Sequence, residues 1–576
     1  DASGNNDGTS WADAFNDLQD ALDKAMPGDT IWVAEGIYLP SEEYYPYESG
    51  ESGPRYAMFF IPASVSVFGG FDGSESAFYQ RDPWQHETLL SGDIGNEGDT
   101  SDNVYHVVGM ANGGKHTLLD GFTISGGNAN GDGYNSVGGG ILYVRTDASV
   151  WNSSKISHCI IKGNNARNMG GGIYNSGNLS LDDKPIIENC IIQGNTSRDG
   201  AGICFNTPCA NLMKPELINC ILSGNKAEHI GGGIYFQATL CNNPEDQKIS
   251  EPLLKNCTFS GNYAEFGGGV YIFEEEATFI NCIFWNNKAD NGNQVGMDDA
   301  TSAFIHCNIE GRTDAFYEIG TNSVIWQDNL ETDPLFVAGI EPEEAPTDEG
   351  DYHLWDFSPC IDAGLNDSVT VGKDLDGNMR IQNETVDMGA YEGGVVSPPV
   401  IYVDDDASGA CDGTSWANAY NDLQPALTRA NAGDTIWVAE GYYYPTQQAD
   451  LDSSGGNDPR EATFLIPPGV KVYGGFEGGE TSLAERTRYP DGSVLSGGDA
   501  CASIPGRTWP RELICDRDYS DNLYHVVTFI NAGEQTVLDG FLILAGNANV
   551  EGSETPHDKG GGIYNMSTGA GNTSSP

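Results

Sequence analysis

GGGIYNSGNLSLDDKPIIENCIIQGN fills residues 170–195, and how it is read decides the fold. GGIYN, NLSL and PIIENCII form three short apolar runs divided by turn-forming residues, which is a strand–turn pattern with no helical period. The same order of features recurs outward in both directions. Near-copies of the opening are GGGILY (138–143), GAGICF (200–205), GGGIYF (231–236) and GGGVYI (267–272), and GGGIYN itself returns at 560–565. Cys159, Cys190, Cys220, Cys257, Cys282 and Cys307 follow at spacings of 31, 30, 37, 25 and 25, in the settings HCIIKGN, NCIIQGN, NCILSGN, NCTFSGN, NCIFWNN and HCNIEGR.

Three short strands per period, with no helix between them, predict an all-β parallel β-helix in which each coil gives one strand to each of three sheets. Coils about 4.8 Å apart stack like residues on like. The cysteines then become an internal column of small hydrophobes. Asn189, Asn219, Asn256 and Asn281, which precede the cysteines, and Asn164, Asn195, Asn225 and Asn262, which follow them, are expected to form amide ladders from coil to coil. The Gly triplets mark a corner rather than a phosphate cradle, because a β-branched residue and usually an aromatic follow where a helix would be required.

A longer period lies over the short one. DASGNNDGTSWADAFNDLQDAL (1–22) returns as DASGACDGTSWANAYNDLQPAL (406–427), and GDTIWVAEGIYLP (28–40) as GDTIWVAEGYYYP (433–445). The chain therefore reads as a tandem duplication. Unit 1 is a β-helix over 1–319 with an N-terminal cap at 1–40, followed by a β-rich closing module at 320–396. A linker and first strand at 397–405 lead to the N-terminal part of unit 2 at 406–576. Trp11, Ala14, Phe15, Leu18, Ala21, Leu22 and Ala25 keep the spacing of one buried helix face, with Ser10 as N-cap and Pro27-Gly28 as the stop. Pro425, in place of Asp20, predicts a kink in the second copy.

GGGV with FSGN (259–262) and GGGI with FWNN (284–287) resemble the paired repeats of polymorphic outer membrane proteins. SPCIDAGLND…DLDGNMRI…VDMGAYE (358–392) is similar to the module that closes secreted bacterial β-helix proteins of the choice-of-anchor kind. The resemblance implies a right-handed β-helix at a cell surface. The same fold carries adhesins, surface-layer proteins and polysaccharide lyases, so it does not choose among them.

Lys and Arg total 27 against 84 Asp and Glu, a formal charge of −57. That field excludes nucleic acid as a partner and favours cations, calcium above all. No apolar run approaches a membrane span, so membrane insertion is not expected. Asp374, Asp376 and Asn378 alternate like the first half of a calcium loop, although Thr385 stands where a bidentate Glu would close it. Asp404, Asp405 and Asp406 form a second, weaker acidic set. Cys501 and Cys515 share an insertion found only in unit 2 and are disulfide candidates, as are Cys204 and Cys209, or either of these with Cys241. Such pairs would suit an oxidising exterior.

Carboxylates in the coils are scattered and no column of them recurs on one strand. His106 and His525, repeated within YHVV, are expected to be structural. Trp151, Trp285, Trp326, Tyr134 and Phe266 offer stacking faces for a polysaccharide. The favoured function is non-enzymatic: a rigid, acidic, secreted rod serving as surface-layer, adhesin or filament component. Its partners would be copies of itself or cell-surface components. VIYVDDD precedes unit 2 but has no counterpart before Asp1, so unpaired strand edges point to head-to-tail assembly. The alternative is a polysaccharide lyase or glycoside hydrolase of the β-helix class.

Overall fold

Successive coils pair their strands in parallel throughout unit 1. The protein was analysed as a computed structural model. It describes all residues except 1, 45–51, 112–116, 145–153, 177–180, 208–211, 239–248, 357, 396–399, 432, 449–457, 482, 487–491, 499–521, 534–535, 549–559 and 567–576. The chain divides into Asp1–Val395 and Val396–Pro576.

Unit 1 is a right-handed parallel β-helix. Its first sheet has ten strands, from Thr30–Ala34 to Ser323–Gln327, and the second has nine, from Gly36–Tyr38 to Asn308–Ile309. The third has nine, from Phe59–Ile61 to Phe316–Ile319. A fourth sheet of six short strands, from Asn128–Ala129 to Lys288–Asn291, adds a strand that three runs per coil did not suggest.

The core is built from columns of equivalent residues. Ile156, Ile187, Leu217, Leu254, Phe279 and Phe304 succeed one another on the inner face of the first sheet, all buried. Phe279 stacks on Phe304 at 4.9 Å, and Phe259 on Phe284 at 4.5 Å. Each such ring contributes about 1.5–3 kcal/mol by leaving water. The six cysteines also lie in the core. Each thiol donates to the carbonyl two residues earlier, at 3.2 Å for Cys159 and 3.4 Å for Cys307. The residue before each cysteine turns the chain through the left-handed region, from φ 49° at His306 to 56° at Asn281. Asn and His tolerate that region better than most side chains.

The strongest polar column is made by the asparagines after the cysteines. Asn164 donates both its backbone N–H and its Nδ2 to Asn195 Oδ1, at 3.0 and 3.1 Å. Asn195 does the same to Asn225, Asn225 to Asn262 and Asn262 to Asn287. Asn287 ends the run on Gln294 Oε1 at 2.7 Å. The second Nδ2 hydrogen donates to a strand carbonyl of the preceding coil, as Asn225 does to Ile192 O at 2.9 Å. The Gly triplet packs against this column: its first residue has φ 63° at Gly170, and a Cβ on Gly172 would come within 2.6 Å of Gly202 O.

The caps differ from expectation. The first helix, α1, spans only Leu18–Lys24, with Asp17 rather than Ser10 as N-cap. Ser10 instead donates to Asp13 Oδ2, and Trp11 packs on Trp32 and Phe71, so this segment is held as a loop. In unit 2, α2 spans Leu423–Arg429 and is not kinked. Pro425 falls in its first turn, where no intrahelical N–H bond exists to be lost. Unit 2 rebuilds the clasps of unit 1. Arg55 donates to Asn103 O and Asn128 O, and Arg460 to Asn522 O and Asn547 O.

Glu275 is an acid buried within the coils. Glu275 accepts from Thr207 Oγ1 at 2.9 Å, and burial pushes its carboxyl up to about 8. Between about pH 4.5 and 8 the unfolded chain sheds this proton while the folded chain keeps it, so stability falls as pH rises through that window. Thermal melts of Glu275→Gln should show a gain over wild type that is larger at pH 8 than at pH 5. An equal gain at both values would contradict neutral burial of the acid. Asn225→Ala should leave partners unpaired in two neighbouring coils, at about 1–3 kcal/mol for each buried group. Hydrogen exchange should accelerate across 191–263 while the coils near 300 remain protected.

Candidate functional site: the docked closing module

The densest polar constellation of unit 1 lies in the turns after the last coil. Phe336–Ala338 pairs antiparallel with Asp351–Trp355, which pairs in parallel with Gly394–Val395. Residues 358–393 between them are almost all turns, and their backbone groups are bound by side chains. Arg380, 1% exposed, stands at the centre and donates from Nη2 to Asp387 O and Gly389 O. Three buried carboxylates, Asp374, Asp387 and Glu392, face it electrostatically.

Each of these acids accepts backbone N–H groups. Asp374 accepts from Asn378 and Glu392, at 2.7 and 2.8 Å. Asp387 accepts from Asp362 and Gly393, at 2.7 and 2.6 Å. Glu392 accepts from Gln382 and Asp387, at 2.9 and 3.0 Å. Burial raises the Asp387 carboxyl, pushes that of Glu392 up to about 7, and lowers Arg380.

The residues of the calcium reading at 374–378 have separate partners in this structure. Asp374 is turned inward onto backbone donors and Asn378 Nδ2, while Asp376 points to His353. The cation near Asp374 is the Arg380 guanidinium, whose charge no local spacing announces. Among the described residues no group of three or more His, Cys, Asp or Glu is placed to hold a metal. Asp404 and Asp405 likewise accept the N–H groups of Asp406 and Tyr442, closing a turn at the unit 2 junction.

His353 is the second charged element. Its Nδ1 lies 2.5 Å from Asp351 Oδ1 and its Nε2 2.8 Å from Asp376 Oδ2, and its ring stacks on Tyr391 at 3.7 Å. Burial opposes the imidazolium, but the two carboxylates outweigh it and raise His353 to about 9. The module is therefore laced internally by two cations, each held among acids.

It docks along the outer face of the second sheet. Ile340, Tyr352, Leu375 and Ala390 pack with Ile221, and Leu354, Cys360 and Met388 with Ile283. Polar anchors reinforce this. Asn281 donates to Ser368 Oγ at 2.9 Å and accepts from Leu365 N–H at 2.7 Å. Asn256 donates to Asp387 O, and Asn219 to Lys373 O.

The expected ladder of Asn189, Asn219, Asn256 and Asn281 is thus corrected. Asn219 donates to Asn189 Oδ1 at 3.0 Å, but Asn256 and Asn281 turn outward to hold the module. These anchors were missed from sequence. The available signal was the doubled apolar pair in CIIQGN and CILSGN, because a strand apolar on both faces is covered on both.

The remaining sequence candidates are dispersed. Cys204 is a free buried thiol between Tyr174 and Tyr235 of neighbouring coils, which corrects its disulfide reading. Cys209, Cys241, Cys501, Cys515 and Trp151 lie outside the described residues. Trp285 packs near the module, Trp326 on the end of the core, and Phe266 in an outer apolar stripe, while Tyr134 is exposed. His106 donates from Nδ1 to Gly138 O at 2.9 Å, and burial lowers it to about 4. His525 repeats that contact with Gly560 O at 3.1 Å. Along the first sheet Lys155 pairs with Glu188, Lys184 with Glu216, and Lys214 with Glu251.

No family model matches the chain, and no curated protein matches it, so the finer likeness to polymorphic outer membrane protein repeats has no support there. Among solved structures the chain is similar to pectate lyase Pel9A, at 10% identity and a TM-score of 0.32, over 68% of this chain and 95% of that one. It is also similar to the PL6 family alginate lyase AlyGC, at 11% identity and a TM-score of 0.21, over 91% of this chain and 70% of that one. At such scores neither likeness carries an activity across.

A folded value near 9 against an ordinary 6.5 means that His353 stabilises the module fully below about pH 6.5 and loses that effect as pH rises through 9. His353→Gln should therefore lower the melting temperature at pH 6 and match wild type above about pH 10. A constant deficit at every pH would show that the charge is not what matters.

Proposed function

We propose that this chain is a non-enzymatic structural protein: a secreted, acidic β-helical rod that serves as a surface-layer, adhesin or self-assembling filament component. One observation carries the reading. The most elaborate polar set in unit 1, Arg380 with Asp374, Asp387 and Glu392, is committed to main-chain groups, and the segment it orders is anchored along one flank of the coils. Such a set stiffens a unit. Duplication of the clasps in the second unit fits a protein extended by adding units.

The charge of −57 suits a cell exterior, where divalent cations such as calcium would screen it diffusely. Partners in this reading are copies of the chain and cell-surface components, including polysaccharide. Fractionation of the source cells should place the protein at the surface, accessible to added protease. Incubation of the purified chain with pectate, alginate and other acidic polysaccharides, with and without calcium, should release neither unsaturated nor reducing ends. Sustained release that survives purification to homogeneity would replace this reading with that of a β-helix lyase or hydrolase.

A further inference from the structure

The segment GDIGNEGDTSDN, residues 92–103, lies between strand Thr88–Ser91 of the second sheet and strand Val108–Ala111 of the third. It carries four acids and no Lys, Arg, His or Cys. Glu97 and Asp99 are exposed, whereas Asp93 and Asp102 fold back into the loop. Asp93 Oδ2 accepts from Gly98 N–H and Asp102 Oδ2 from Asn96 N–H, both at 2.9 Å. The two carboxylates thus grip one short turn from its two ends, which brings like charges together.

The other oxygen of each acid has no donor. Asp93 Oδ1 and Asp102 Oδ1 are buried, and among the described residues neither accepts a hydrogen bond. The neighbouring Asn103, 4% exposed, shares this condition: its Nδ2 donates to Gly126 O at 2.7 Å, while its Oδ1 is buried without a donor. Arg55, the cation that clasps this corner, donates to Asn103 O, Asn128 O and Asn130 Oδ1 rather than to either acid. A buried acceptor left unpaired costs about 1–3 kcal/mol, and more when it is charged. Three in one loop, two of them anionic, call for a positive partner.

Unit 2 shows where the asparagine oxygen is directed. Its corner repeats the same main-chain bonds: Val104 N–H donates to Gly92 O as Leu523 does to Gly497 O, and Tyr105 to Arg55 O as Tyr524 does to Arg460 O. Asn522 and Gly498 hold the places of Asn103 and Asp93. A Cβ on Gly498 would collide with Asn522 Oδ1, so the amide oxygen faces the residue at that place. In unit 1 that residue is Asp93. A Cβ on Gly126 would lie 3.1 Å from Asp93 N and 3.6 Å from Asn103 Nδ2, which sets the amide beside Asp93 there as well. Asn103 Oδ1 is therefore aimed at the turn that both acids grip.

We propose that Asp93 Oδ1, Asp102 Oδ1 and Asn103 Oδ1 form a specific calcium site in unit 1. All three are hard oxygen donors, two charged and one neutral, and the absence of imidazole and thiol from the segment favours calcium over zinc. Loop carbonyls and water complete the six to eight oxygens that calcium takes. The set contains only two carboxylates, so it differs from a cluster of acids or histidines. It differs from Asp374 too, whose two oxygens are both taken by donors of the protein. Unit 2 has Gly498 in place of Asp93 and lacks the first of these oxygens. The proposal goes beyond the proposed function and does not depend on it.

Calorimetric titration of the chelator-stripped full chain with calcium tests this, at about 0.15 M NaCl so that diffuse attraction to the net charge is screened. A saturable site with a Kd below about 1 mM is expected. Asp93→Asn and Asp102→Asn can keep the bonds to Gly98 and Asn96 while each removes one charge, and each should weaken binding at least about tenfold. Glu228→Gln, which removes an exposed acid of the coils, should leave it unchanged. On the unaltered chain, calcium should slow amide exchange at 95–104 and leave 374–392 as it was. That measurement keeps the proposal open to failure even where a variant does not fold. Heat that never saturates, as when water alone fills the loop, would overturn it. So would equal affinity in the two variants, an equal loss in Glu228→Gln, or protection confined to 374–392.

Discussion

Each buried asparagine from Asn164 to Asn262 is satisfied because another stands in the next coil, and Asn287 closes the column on Gln294. Asn225 uses its backbone N–H and one amide hydrogen on Asn262 Oδ1, the other on Ile192 O, and its own Oδ1 receives the same pair from Asn195. Replace one member and the coil before it loses its acceptor while the coil after it loses its donors. An amide buried without partners is costly, so the repeat is held to one letter at this corner by hydrogen bonding rather than by packing. The neighbouring Gly triplet follows from the same stacking, because a Cβ on Gly140, Gly172, Gly202 or Gly233 would come within 2.7 Å of the next coil's carbonyl.

With the interior so constrained, variation between coils is pushed to the outer faces, and that is where the module attaches. Ile191, Ile221, Ile283 and Trp285 point out of the second sheet and would be an exposed apolar stripe without it. The module has little regular structure, so it needs internal cross-links, and Arg380 and His353 provide them among acids. In a chain of such negative charge, two buried or half-buried cations offset local repulsion that would otherwise loosen a turn-rich segment.

The coil architecture was legible because it is written in local letters: Gly-Asn after an apolar pair, Cys two residues before a strand centre, a Gly triplet before Ile-Tyr. Asn286 even takes the left-handed place of Gly in FWNN, as the repeat alignment implies. The site was less legible for a physical reason. Asn256 and Asn262 flank the same strand, yet one bonds to the module and the other along the column. That choice is made by residues more than a hundred positions away. DLDGN reads as a calcium loop because turn formers and oxygen ligands are the same residue types, and the burial of Arg380 beside Asp374 is set by the fold rather than by that spacing.

The duplicated caps show what fixes the end of such a stack. α1 packs on the first strand of the third sheet, Phe59–Ile61, and α2 on the equivalent Phe464–Ile466. A helix laid over one corner leaves the ladder of the first sheet to be ended by something else. In unit 2 that something is Val400–Val403, a strand flanked by the loop of 413–420 and followed by Asp404 and Asp405, whose side chains close the turn. Addition of another strand beyond it is blocked, since its outer side is already bonded to Gly413 and Tyr420. The inserted strand therefore terminates the ladder rather than propagating it.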